Sequence, residues 1–195
     1  MGDTVSIRQV EAFTKKKISQ LLEQSGNNSG TLAQLRRGIA KEPGEVPQLW
    51  GYFLQDMPEE FFGSGEPSRA EWAVYSAVTL FSLHQQGKDP KSEPMQKDGM
   101  TLGQAMAQLV TNEDEEKRVT RRFQTVATAS SVGELCHYLR SLVQMLRGEN
   151  IGLDYPLLAK DIYCFQFPEL IARVRLNWGQ DFYGNLRTKF TDKNN

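Results

Sequence analysis

SVGELCHYLRSLVQMLR, residues Ser131 to Arg147, carries Val132, Leu135, Cys136, Leu139, Leu142, Val143 and Leu146 at three- and four-residue intervals. On an α-helix that spacing puts them all on one side. Ser131, followed three positions later by Glu134, supplies a capping box at the start. His137, Arg140, Gln144 and Arg147 form a polar line opposite the leucines. A helix with a single apolar stripe must bury it against other helices, so this segment predicts a bundle.

The neighbouring segments read the same way. On the C-terminal side, Asp154-Tyr155-Pro156 begins a helix through Ile162 and Phe165. Pro168 begins another, and Gly179 after Trp178 is expected to end it. On the N-terminal side, Asn112 caps a helix whose first turn holds Glu113, Asp114, Glu115 and Glu116, the end that favours negative charge. Thr101 with Gln104 opens one more helix through a capping box. From Gln85 to Gly99 the composition changes to prolines, glycines and lysines, with Met95 the sole large apolar side chain, which reads as a linker.

Before the linker, Pro67-Ser68 with Glu71 caps a helix, Trp72 to Leu83, that is apolar on nearly every face and is expected at the centre of the N-terminal half. Ser6 with Gln9 caps a first helix carrying Val10, Phe13, Ile18, Leu21 and Leu22, ended by the turn-forming run Ser25 to Gly30. A short helix with Leu32, Leu35 and Ile39 is expected to stop at Pro43-Gly44, and Pro47 starts another through Leu49, Trp50, Phe53 and Leu54. No run alternates as a strand does. The expected fold is all-α, with two small helical subdomains. These are an N-terminal one (1–87), a linker (88–100) and a C-terminal bundle of roughly four helices (101–195).

Composition sets outer limits. In 195 residues, 39% hydrophobic and 24% charged, the balance is that of a globular protein in water. No run approaches the roughly 18–20 apolar residues that cross a bilayer. The first nineteen residues, with Lys15, Lys16 and Lys17, lack the apolar core of a signal. Cys136 and Cys164 lack CxxC spacing and read as reduced, buried thiols. The expected location is therefore the cytoplasm, with no membrane partner.

Catalytic groups are scarce. Cys136 and His137 are adjacent and point about 100° apart on a helix, so they cannot form an i, i+4 metal pair. Two histidines and two cysteines spread over three helices make a poor zinc set. Gly63-Ser64-Gly65 lacks the Lys-Ser/Thr of a phosphate-binding loop. We expect no enzyme, no metal and no cofactor; a hydrolase reading would have to rest on His84 or His137.

The distribution of charge is more informative than its sum. The net charge is −1, yet from Lys117 onward twelve basic residues face seven acids. Arg118, Arg121 and Arg122 share a helix face by i, i+3 and i+4 spacing, with Glu113–Lys117 and Asp114–Arg118 as expected i, i+4 pairs. Arg121 and Arg122 are left over, apart from a partial claim on Glu115. Arg140 and Arg147 lie on the polar line of the next helix. Arg36-Arg37 ends a short helix, where the pair either offsets the helix dipole or meets phosphate. Lys88, Lys91 and Lys97 of the linker are solvated or touch a polyanion. With no dense base-reading set and with aromatics at core spacing, any nucleic-acid binding is expected to be phosphate-dominated, indifferent to sequence and sensitive to salt.

Four segments together resemble the CasB family, the small subunit of the type I-E CRISPR Cascade complex. They are Leu32-Ala33-Gln34-Leu35-Arg36-Arg37, Gly99-Met100-Thr101-Leu102-Gly103-Gln104-Ala105, Arg121-Arg122-Phe123-Gln124 and Gly152-Leu153-Asp154-Tyr155-Pro156-Leu157-Leu158-Ala159. The resemblance implies an all-helical, non-enzymatic subunit present in two copies along the crRNA-bearing backbone. Its partners would be the other Cascade subunits, especially the backbone and large subunits, together with crRNA and target DNA. Its basic surfaces would stabilise the crRNA–target hybrid and the displaced strand, through Arg36, Arg37, Arg121, Arg122 and Arg140 by motif. The acidic run Glu113 to Glu116 and the long linker depart from the family pattern, as does the single Arg140 where a denser basic pair is expected. The competing expectation is a structural helical adaptor whose basic residues pair with acidic protein partners.

Overall fold

The structure is a computed structural model and describes residues 5–23 and 28–191. Among these residues are nine α-helices, with long connections over 54–68 and 85–101 and one isolated parallel bridge, Gln96 to Leu153, as the only β pairing. The helices are α1 (Ile7–Glu23), α2 (Asn28–Leu35), α3 (Trp50–Phe53), α4 (Arg69–His84), α5 (Leu102–Gln108), α6 (Glu113–Ala127), α7 (Val132–Gly148), α8 (Tyr155–Phe165) and α9 (Pro168–Thr191). The all-α expectation is met. No helix among the described residues is long and apolar enough to cross a membrane.

The caps explain where the helices begin. Ser6 and Gln9 satisfy each other's backbone N–H ahead of α1. Ser68 with Glu71 and Thr101 with Gln104 form complete capping boxes for α4 and α5. Asp154 accepts from Leu157 N at the head of α8 and from Gly99 N at 2.7 Å. Ser131 accepts from Glu134 N, but the expected box is only half made. The Glu134 carboxylate turns to Ser130 N and Oγ, both at 2.7 Å, one residue further back.

Two helix ends differ from expectation. Gly179 does not end α9, which runs 24 residues to Thr191. Val174, Trp178, Phe182 and Leu186 continue one buried stripe through it, and a single helical glycine costs only about 1 kcal/mol against burial of two more large side chains. The helix with Leu32 and Leu35 stops earlier than Pro43. It tightens into a 3₁₀ turn at Arg36–Gly38, and Ile39 is extended. Gly38 lies against α4, where an added Cβ would come 2.4 Å from Tyr75 Oη, and Tyr75 donates to Gly38 O at 3.1 Å. Of the turn expected over Ser25 to Gly30, Ser25, Gly26 and Asn27 lie outside the described residues, while Asn28 to Gly30 already belong to α2.

α4 is buried along nearly its whole length, from Ala70 to His84. α7 and α8 pack on it, α1 packs on α8, and α5 lies along α9. One hydrophobic core therefore includes side chains from both sides of residues 88–100. That segment is stitched down. Gln85, nearly inaccessible, donates to Lys88 O and Glu93 O and accepts from Met95 N. Leu153 N bonds Met95 O, Lys97 N bonds Leu153 O, and Asp154 N bonds Met100 O. Met95, the linker's one large apolar side chain, is buried.

Candidate nucleic-acid interface

α7 runs beside α4 in the same direction. Cys136 Sγ lies 3.0 Å from Ser76 Oγ near one end, and Arg147 Nη1 donates to Gln86 Oε1 at 2.6 Å at the other. The C-terminal ends of both helices thus meet, and three basic side chains from separate parts of the sequence collect there. Arg36 donates to Ser82 O in the last turn of α4. Lys88 bonds Asn150 Oδ1 just beyond α7. Burial first, and then the charge of Arg147, push the Arg36 guanidinium below its usual value. Arg36 therefore offsets a helix dipole, but that of α4 rather than of its own helix. Nothing in the local sequence signals this meeting, because each residue sits on a different element.

Arg37 is exposed and donates to Gln34 Oε1 at 3.1 Å. Arg118, Arg121 and Arg122 are exposed on α6, opposite the buried Val119, Phe123 and Val126. The i, i+4 pairs expected for Lys117 and Arg118 are not made. Glu115 accepts from Thr111 N and Oγ1, and its other oxygen faces Arg118 at 3.5 Å. Glu115 is thus drawn back to Thr111 at the N-terminal end of α6. Among the described residues there are three ion pairs, and only the Arg118 one touches this set. Exposed as it is, that pair contributes little to stability.

Arg122 reaches across to α7, with Nη1 3.9 Å from Met145 Sδ. Two positions from Arg147, Met145 points about 160° away from it around the helix. Arg140 is exposed on α7, seven residues before Arg147 and so on the same side, about 10 Å along the axis. Arg140 and Arg147 with Arg36 and Lys88 make a basic strip along α7 to its C-terminal end, and Arg122 stands at the other edge of the exposed side of α7. Arg121 faces the other way, into a groove between α6 and α9 lined by Glu113, Glu116, Lys117, Gln124 and the half-exposed Tyr183. Tyr183 is an exposed aromatic beside a cation that its core-like spacing concealed.

Of the remaining chemistry-bearing residues, both cysteines and His84 are internal. Burial pushes the Cys136 thiol up to about 11, so it is protonated at neutral pH, while its neighbour His137 is exposed. His84 is fully buried, with Nδ1 2.9 Å from Tyr155 Oη. Among the described residues no three His, Cys, Asp or Glu side chains are placed to hold a metal ion. Arg69 lies over the Phe167 ring, and Arg175 bonds Ala129 O beside Phe165; both cations are taken up by the fold. Such a surface can offer guanidinium and ammonium groups to a phosphate backbone, but it has no dense set aimed at base edges.

A family model described as CRISPR-associated protein Cse2 matches residues 31–183. The fold is similar to that of CasB from Thermobifida fusca, at 30% identity and a TM-score of 0.73, over 92% of this chain and 99% of that one. It is also similar to a chain of a CRISPR RNA-guided surveillance complex, at 18% identity and a TM-score of 0.75, covering 94% of this chain and 99% of that one. M. ruber CasB is 24% identical with a TM-score of 0.66, over 96% and 98% of the two chains. Among curated protein sequences none matches significantly.

Proposed function

This chain belongs to the CRISPR-associated Cse2 family, and from that premise we propose that it is a non-catalytic small subunit of a type I-E Cascade surveillance complex that holds nucleic acid by its backbone. It would act in the cytoplasm, in two copies, against the backbone and large subunits, stabilising the crRNA–target hybrid and the displaced DNA strand. In RNA-guided assemblies base pairing reads sequence, and protein contacts hold shape and phosphate. The observation that carries the reading is the strip from Arg140 to Arg147, Arg36 and Lys88, with Arg122 at the other edge of α7 and Arg121 turned into the α6–α9 groove. In a protein of net charge −1 these cations have no carboxylate ion-pair partner among the described residues.

The test is binding of labelled single-stranded DNA, duplex DNA and RNA across a salt series, in the wild type and in Arg121→Glu/Arg122→Glu. Both side chains are exposed, so the variant should fold. We expect salt-dependent binding indifferent to sequence, with the slope of log K against log salt reduced by about two in the variant. Equal binding by both proteins would overturn the assignment of this face. A second reading, a structural adaptor whose basic residues meet acidic proteins, is favoured by the inward bonds of Arg36 to Ser82 O and Arg147 to Gln86. It predicts that the same reversal removes the subunit from the assembled complex, read by native mass spectrometry, without changing DNA affinity.

A further inference from the structure

Between Lys41 and Arg69 the chain has no basic residue and six acids: Glu42, Glu45, Asp56, Glu59, Glu60 and Glu66. All six are exposed. Asp56 pairs with Lys16 and Glu60 accepts from Gln9, whereas Glu59 and Glu66 have no such partner among the described residues. The same segment carries two of the most exposed large apolar side chains, Trp50 at 50% and Phe62 at 46%. Trp50 lies in a groove with Pro43, Gly44, Leu54 and the Gly63–Pro67 turn. An added Cβ at Gly44, Gly51 or Gly65 would meet nothing within 4 Å, so the backbone is open to close approach.

This surface is held rigid. Glu71, in the first turn of α4, accepts from Gly63 N at 2.9 Å and Ser68 N at 2.7 Å. An added Cβ at Gly63 would lie 1.9 Å from Glu66 O, so the turn admits only glycine. The face is therefore tied to the N-terminal end of α4, whereas the basic cluster sits at its C-terminal end. From Glu71 to Ser82 is about 17 Å along the axis.

We infer that this acidic, aromatic face docks a protein partner that presents a basic surface with an apolar slot for Trp50. Phosphate is repelled by Glu66 in this groove and by the other exposed carboxylates of the segment that have no cation, so nucleic acid does not fit here, while a large aromatic beside exposed acids suits a desolvated anchor flanked by charge pairs. Because the face is already ordered, docking costs little conformational entropy. The inference rests on the assembly part of the proposed function and not on its nucleic-acid part.

The experiment is reconstitution of the complex with Trp50→Ala, and separately with Glu59→Lys/Glu66→Lys. Incorporation is measured by native mass spectrometry with an affinity tag on another subunit. The DNA affinity and melting temperature of each isolated variant are measured alongside. We expect subunit affinity for the complex to fall roughly 30-fold for Trp50→Ala, the size of losing an aromatic anchor. The double reversal should fall likewise and lose its salt dependence, with DNA binding by the isolated chain not weakened and folding unchanged. Normal incorporation of both variants would overturn the inference. So would a loss of self-association alone by sedimentation, which would identify the occupant as a second copy. Failure of the wild type to incorporate would overturn the assembly reading and the inference together.

Discussion

His84 is a neutral imidazole enclosed by the ends of α4 and α7 and by Tyr155, and burial lowers its pKa from 6.5 to about 4. Between those values the unfolded chain binds the proton and the native chain does not. The stability involved is complete above pH 6.5 and is lost as pH falls toward 4, by up to roughly 3 kcal/mol. Asp161 works in the opposite sense. Burial raises it from 3.8 to about 6 despite the hydrogen bond from Trp178, so the native state gains stability as pH falls through that range. The two partly cancel in the wild type. His84→Gln separates them: the difference in stability between wild type and variant should shrink from pH 7 to pH 4, measured by urea midpoints. Parallel curves would refute the assignment. At this scale the sequence showed which residues are charged and which stripe each avoids, and so located Arg118, Arg121, Arg122 and Arg140 on exposed faces. It did not show that Arg36, Lys88 and Arg147 meet, because that is a tertiary coincidence at two helix ends.

Among the elements, α5 and α9 cross closely because Gly103 has no side chain. An added Cβ there would lie 2.4 Å from Trp178 O and 2.9 Å from Phe182 N, both backbone atoms that cannot swing aside. Gly103→Ala should destabilise by about 1–3 kcal/mol although alanine is the better helix former. Gly179 in α9 meets nothing within 4 Å, so Gly179→Ala should stabilise by about 1 kcal/mol. Thermal melts of the two variants, with opposite shifts, check both statements. Gly179 reads as a helix end because glycine just after the last residue of an apolar stripe is a common stop signal, while the stripe that overrides it continues beyond, at Phe182 and Leu186. Helix starts were far more legible, since a cap is a local contact between residues three apart.

In the whole molecule, α1 and α4 from before the linker pack on α7 and α8 from after it, within one core. We expect a single calorimetric unfolding transition with equal van't Hoff and measured enthalpies; two resolved transitions would show that the halves fold independently. The sequence marked the change of composition at residues 85–99 but could not show that this segment is pinned by Gln85 and Leu153, since neither bond has a local signal. Its helical content was plain, and which helix lies on which was not, because pairing depends on contacts far apart in the chain. The charges at the two ends of α4 have one further consequence. A body with almost no net charge is barely pulled or pushed by a distant polyanion, but a body with separated charge is turned by it. This molecule would rotate before it touches, arriving with the Arg147 end leading and Trp50 trailing, so that the first collision is already an oriented one.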